Sequence, residues 1–196
     1  MSSVLVVHAS RHGGTAGIAE RIAEVLESEG ATTVVKAAAE RPDPSAFDAY
    51  VIGSGVYLGS WLKEGTEFLE RNQSTLATRP VWLFSSGPLP GSSKASETTD
   101  PLELALGPRE GPGSGGHKRI AALSATIQPR DHRVFLGAFD PDDPPASMQE
   151  RLVRLMPASK RILPPGDFRD WADIEAWART IAVAVMPKSA ATAGGV

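Results

Sequence analysis

Unbroken apolar runs alternate along this chain with amphipathic stretches, and that alternation predicts most of its elements. Val4 to Val7 is short, mostly β-branched and free of charge, the pattern of a strand buried on both faces of a parallel sheet. From Thr15 to Glu29 the apolar residues Ile18, Ile22, Val25 and Leu26 recur at helical spacing, with Glu20, Arg21, Glu24 and Glu27 on the other faces. Gly30 is suited to end that helix, and Thr32 to Lys36 mixes β-branched and polar residues as an edge strand does. After a linker marked by Pro42 to Ser45, the runs Ala49 to Gly53 and Pro80 to Phe84 repeat the strand pattern. Each leads into small residues, Ser54 to Ser60 after the first and Ser85 to Pro88 after the second. A helix is expected from near Trp61, with Leu62, Phe68 and Leu69 on its buried side.

The rhythm lapses over 90–116, a stretch rich in Gly, Pro, Ser and acidic residues with one modest apolar patch at Leu102 to Leu106. Its length and composition predict a mobile insertion. Ile120 to Ile127 reads as a short helix, Arg133 to Gly137 as a fifth strand, Ala138 to Pro145 as another loop and Met148 to Met156 as a helix. Asp170 is placed to cap a stronger helix, whose stripe is Trp171, Ile174, Trp177, Ala178, Ile181 and Val185. Beyond Pro187 nothing is left to bury, so a single domain over 1–186 with a disordered tail over 187–196 is expected. Strands interleaved with helices imply right-handed crossovers and a parallel sheet, an α/β fold. All the small-residue loops then gather at the carboxyl edge, where open α/β sheets bind ligands.

Composition narrows the chemistry. With 196 residues, 41% of them hydrophobic and 22% charged, the chain suits one globular domain. A net charge of −3 gives no footprint for nucleic acid. The absence of cysteine removes disulfides, thiolate nucleophiles, iron–sulfur clusters and Cys-based zinc sites together. His8, His12, His117 and His132 lack metal-ligand spacing, so no metal is expected, and redox chemistry would need an organic cofactor. No run is long enough to span a bilayer and no signal peptide opens the chain, so a cytoplasmic location is expected, with any membrane association peripheral.

The stretch Ser10, Arg11, His12, Gly13, Gly14, Thr15 joins the first strand to its helix. Such a junction aims unpaired backbone N–H groups and the positive helix end at one spot, glycines admit a ligand close to the backbone, and hydroxyls donate to phosphate oxygens. The Gly-Lys-Ser/Thr ending of a P-loop and the G-x-G-x-x-G spacing are both missing. Two readings stand for this loop alone, a ligand phosphate site or a plain capped turn.

A hydroxyl, two residues, Gly, one residue and Thr after a first strand resembles the monophosphate loop of flavodoxins. The resemblance extends through Gly53 to Lys63, Val81 to Leu89, His132 to Val134 with Phe135 and Gly137, and Gly166 to Trp171, and covers residues 1 to about 186. Taken together these segments are similar to the flavodoxin-domain proteins allied to menaquinone-dependent protoporphyrinogen oxidase. The resemblance implies a five-stranded, doubly wound parallel sheet of order 2-1-3-4-5 with helices on both faces. It implies FMN as cofactor, with its phosphate on Ser10, Arg11, His12, Gly13, Gly14 and Thr15. The isoalloxazine would be bordered by Ser54, Gly55, Val56, Tyr57, Leu58, Gly59 and Trp61, and closed by Ser85, Ser86 and Gly87. The implied activity is oxidation of protoporphyrinogen or another reduced small molecule, with a quinone as acceptor. His12 departs from the pattern, standing where flavodoxins commonly place threonine.

Tyr57, inside a loop, and Trp61, in a first helical turn, are the candidates for stacking on a flat ring, with core packing as the competing role for Trp61. Trp82, Trp171 and Trp177 lie on core stripes. His8 reads as a satisfied buried group, and Asp167, Arg169 and Asp170 as an ion pair with a helix cap. No catalytic side chain is identified, in keeping with chemistry carried by the cofactor. A one-electron carrier and a cofactor-free interaction domain are the alternative functions.

Overall fold

The computed structural model describes residues 2–87, 100–111, 113–145, 151, 155 and 165–186. Five parallel strands form its sheet: β1 (Ser3–Ala9), β2 (Thr32–Ala37), β3 (Ala49–Tyr57), β5 (Val81–Ser86) and β6 (Asp131–Phe135). Their order is β2-β1-β3-β5-β6, which is the expected 2-1-3-4-5 once the short β4 (Ser60–Trp61) is set aside as a hairpin partner of β3. The chain leaves β1 towards β2 on one side and returns to β3 on the other. The carboxyl ends of β1 and β3 are therefore the switch point of the sheet.

Strand alternation explains the two cores. Val4 and Val6 face one side, where α1 (Gly14–Ser28) and α6 (Trp171–Val185) lay down Ile18, Ile22, Leu26, Ile174, Trp177 and Ile181. Leu5 and Val7 face the other, against α2 (Lys63–Arg71), α3 (Gln73–Leu76), α4 (Pro101–Leu106) and α5 (Gly115–Ile127). A buried Leu or Ile at such a position contributes about 2 kcal/mol, which is why a charge-free run over Val4 to Val7 marks this strand. The edge of α6 is tied down by the Trp177 indole N–H, which donates to Asp131 at 2.7 Å, and by the Arg133–Asp173 ion pair. Asp170 caps α6 as expected, accepting from the Asp173 N–H.

The expected elements shift in three places. The small-residue stretch Ser54 to Ser60 is not a loop: β3 runs on to Tyr57, turns at Leu58 and Gly59 and returns as β4, so the helix starts at Lys63 rather than near Trp61. Both turn residues have positive φ, 50° and 73°, the requirement of a two-residue hairpin turn of type I′. Within the stretch expected as an insertion, Pro101–Leu106 forms α4, which lays Ala105 and Leu106 on the core. Asp100 caps α4 through the Leu102 N–H, and the apolar patch supplies Leu106, which has no exposed surface. The helix read at Ile120 begins earlier, at Gly115. The expected helix at Met148 to Met156, residues 90–99 of the insertion and the tail over 187–196 lie largely or wholly outside the described residues.

Candidate functional site

At the end of β1 the chain turns through Gly13, whose φ of 76° only glycine adopts freely, and enters α1. The first intrahelical bond is Gly17 N–H to the Gly13 carbonyl, so the N–H groups of Gly14, Thr15 and Ala16 have no intrahelical acceptor. Gly13 brings no side-chain cap, and the first turn of α1 contains no acidic residue. Most helices quiet this end with a Ser, Asp or Glu. Here the flanking residues are instead Arg11, exposed, and His12, largely buried with Nδ1 3.6 Å from Asp143.

Thr15 is buried, and its Oγ1 lies beside Gly55 on β3. A Cβ on Gly55 would stand 3.2 Å from that oxygen and 3.3 Å from Cε2 of Tyr57, so Thr15 and Tyr57 approach this end of β3 closely only because residue 55 lacks a side chain. Tyr57, half-buried, closes the far side, with the Arg11 guanidinium carbon 4.9 Å from its ring centroid. The structure therefore brings Arg11, Thr15, Gly55 and Tyr57 together at the switch point, where Ser10 to Gly14 join β1 to α1. Val56 flanks it, and Leu58 projects from the hairpin turn with 85% of its surface exposed.

The remaining candidates sit differently. Trp61 is 5% exposed, and its indole N–H donates to Ser85 Oγ at 2.8 Å. With its edge engaged and its faces packed, it anchors β4 to β5 and presents no open face for stacking. Ser54 is fully buried and spends its hydroxyl on the β4–α2 connection, accepting from the Leu62 N–H and donating to the Gly55 carbonyl. Ser85 Oγ also lies 3.0 Å from His132 Nε2. Because the indole only donates, the Ser85 hydrogen is free to point at an unprotonated Nε2. Burial pushes His132 down to about 4, against an upward pull from Asp131. Ser86 is nearly buried at the carboxyl end of β5, and Gly87, with φ 92°, turns the chain there by donating its N–H to the Phe135 carbonyl.

Two residues carry more than the sequence suggested. His8 is not satisfied: its Nδ1 is buried with no hydrogen-bond partner, and burial lowers its pKa. Arg169 forms the expected pair with Asp167 but also donates through Nη1 to the Gly14 carbonyl at 3.3 Å. A bond spanning 155 residues leaves no local pattern to read. Among the described residues, no group of His, Asp and Glu could hold a metal, and no helix is long and apolar enough to cross a membrane.

A family model described as flavodoxin domain matches residues 5–143. No curated protein sequence matches the chain. Solved structures with a similar fold include a flavodoxin from the domain Archaea, 16% identical with a TM-score of 0.54, covering 93% of this chain and 98% of that one. A cysteine-to-serine mutant of flavodoxin from Pseudomonas aeruginosa is 14% identical with a TM-score of 0.54 over the same shares. The rubredoxin oxygen:oxidoreductase of Desulfovibrio gigas is 15% identical with a TM-score of 0.53; the match covers 94% of this chain but 36% of that longer one.

Proposed function

This chain belongs to the flavodoxin-domain family, and on that premise we propose that it is an FMN-dependent oxidoreductase acting on a reduced small molecule. Flavodoxin domains bind FMN, and the residues of the switch-point cleft suit that group. The observation that carries the reading is the start of α1. Three backbone N–H groups converge there beside Arg11 and His12, with no acidic side chain in the first turn to compete for them. A phosphate dianion is the ligand such an end favours.

In this reading the N–H groups of Gly14, Thr15 and Ala16 and the hydroxyl of Ser10 hold the phosphate, Arg11 offsets its charge, and His12 stands beside it. Gly55 puts no side chain in the way of a flat ring, Tyr57 and the hairpin turn border it, and Ser86 with Gly87 close the opposite wall. When bound, FMN supplies the redox chemistry, and the protein supplies position and polarity. The resemblance of the chain to proteins allied to menaquinone-dependent protoporphyrinogen oxidase supports a porphyrinogen or related reduced substrate, with a quinone as acceptor.

Purified protein mixed with FMN is expected to retain the yellow cofactor through gel filtration and then to reduce a soluble quinone at the expense of a reduced substrate. Retention without quinone turnover would assign it instead to one-electron transfer between protein partners. Failure to retain FMN would remove the redox assignment altogether.

A further inference from the structure

Arg169 lies outside the part of the chain that the family model matches, yet its guanidinium is seated on the first turn of α1. Four contacts hold it there. Nε and Nη2 donate to the two carboxylate oxygens of Asp167, at 2.8 and 2.6 Å, and hold that carboxyl below its usual range. Nη1 donates to the Gly14 carbonyl, and the group lies over the Trp171 ring, 4.4 Å from its centroid. Its side chain is only 17% exposed. The seat exists because residue 17 is glycine: a Cβ there would stand 2.7 Å from Nη1.

Beside it the short ribbon of β7 (Ala138–Phe139) and β8 (Gly166–Asp167) leans on the same turn, near enough that a Cβ on Gly14 would be in van der Waals contact with Ala138. The Phe168 N–H donates to the Gly137 carbonyl at 3.1 Å and fastens the ribbon to the end of β6. The carbonyl that Arg169 grips belongs to Gly14, whose own N–H is one of the three aimed at the cleft. That carbonyl shares one planar peptide unit with the Thr15 N–H, so holding it fixes the direction of that donor as well. A cation at a helix N-terminus opposes the helix dipole unless it is paired or an anion lies near. Asp167 pairs it here, so what Arg169 contributes is mainly position.

We propose that Arg169, seated in the notch left by Gly17, is a positioning residue that aims the α1 N–H groups at the flavin phosphate. It selects the phosphorylated flavin over riboflavin; the proposal rests on the FMN reading above. The segment carboxyl-terminal to the family match thus braces the phosphate corner from outside it.

The test compares FMN and riboflavin affinity, by quenching of flavin fluorescence, for the wild type, Arg169→Gln and Gly17→Ala. Both variants should weaken FMN about tenfold, about the worth of one backbone N–H bond to the charged phosphate lost when the donors are no longer aimed, and leave riboflavin within about twofold. Gly17→Ala guards against a trivial folding defect: alanine favours the helix, and its Cβ meets only the tip of a flexible side chain, so its thermal midpoint should not fall. Equal weakening of both flavins would reduce Arg169 to a structural brace, and unchanged FMN affinity in both variants would leave it no role in the site; either overturns the proposal. A wild type that binds no FMN would sink the cofactor reading itself, a result separate from any change in selectivity.

Discussion

The corner after β1 and the hairpin after β3 flank one cleft but are built on opposite principles. In the corner it is the backbone that is left unengaged: a glycine at φ 76°, three N–H groups without intrahelical acceptors and no capping side chain. At the hairpin side chains engage one another, Trp61 with Ser85 and Ser85 with His132, and the turn is wedged under α5. One region keeps its polar groups in reserve, and the other has spent them. The contrast teaches where to expect binding and where to expect stability.

Two helical glycines expose the difference most sharply. A Cβ on Gly116 would stand 1.8 Å from the Gly59 carbonyl oxygen, a backbone atom that cannot swing aside. Helix propensity favours alanine by about 1 kcal/mol, yet Gly116→Ala should destabilise by about 2 to 3 kcal/mol in urea denaturation through overpacking. Gly17→Ala, whose neighbour is a side-chain tip, should show no such loss.

Acid should attack the hairpin side next. The folded protein holds His132 neutral down to about 4, whereas an unfolded chain protonates it near 6.5. Protons therefore favour the unfolded state as pH falls from about 6.5 to 4, at up to about 1.4 kcal/mol per pH unit. Stability is full above that window and drops by about 3 kcal/mol across it, with His8 adding in the same direction because its pKa is also lowered. His132→Gln should flatten most of this slope in denaturation curves taken at several pH values.

Gly13→Val tests the corner in turn. A β-branched residue at φ 76° costs about 1 to 2 kcal/mol, and the N–H groups behind it lose their aim, so FMN affinity should fall more than stability does. Smallest is the change at the turn itself. Leu58 holds a positive φ of 50° with nearly all its side chain in solvent. Leu58→Gly should raise stability by about 0.5 kcal/mol, the relief of strain less the entropy of glycine, seen as a higher thermal midpoint.

The corner is legible in the sequence because its signals are local. An apolar run, a glycine pair and an amphipathic repeat follow one another directly and state a strand, a turn and a helix, and alternation over the whole chain states a parallel sheet, whose strand order comes only with the resemblance to flavodoxins. The hairpin is not, because Val56, Tyr57 and Leu58 are set among serine and glycine and read as part of a loop, and a leucine is a poor advertisement for a type I′ turn. That β3 continues to Tyr57 is decided by pairing with β4 and by the packing of α4 and α5, which come from much later in the chain. Trp61 reads as a stacking face or a core residue from its sequence neighbours; only its bond to Ser85 settles its placement. The pairing of Arg169 with Asp167 is a matter of near neighbours, whereas its reach to Gly14 depends on α1 and α6 packing side by side.

The central claim is that phosphate is held by the opening turn of α1. A crystal structure of the protein with FMN tests it most directly. The phosphate oxygens should lie within hydrogen-bond distance of the Gly14, Thr15 and Ala16 nitrogens, with the ring between Tyr57 and Gly87. A phosphate seated elsewhere, with those three nitrogens facing water, would contradict the account.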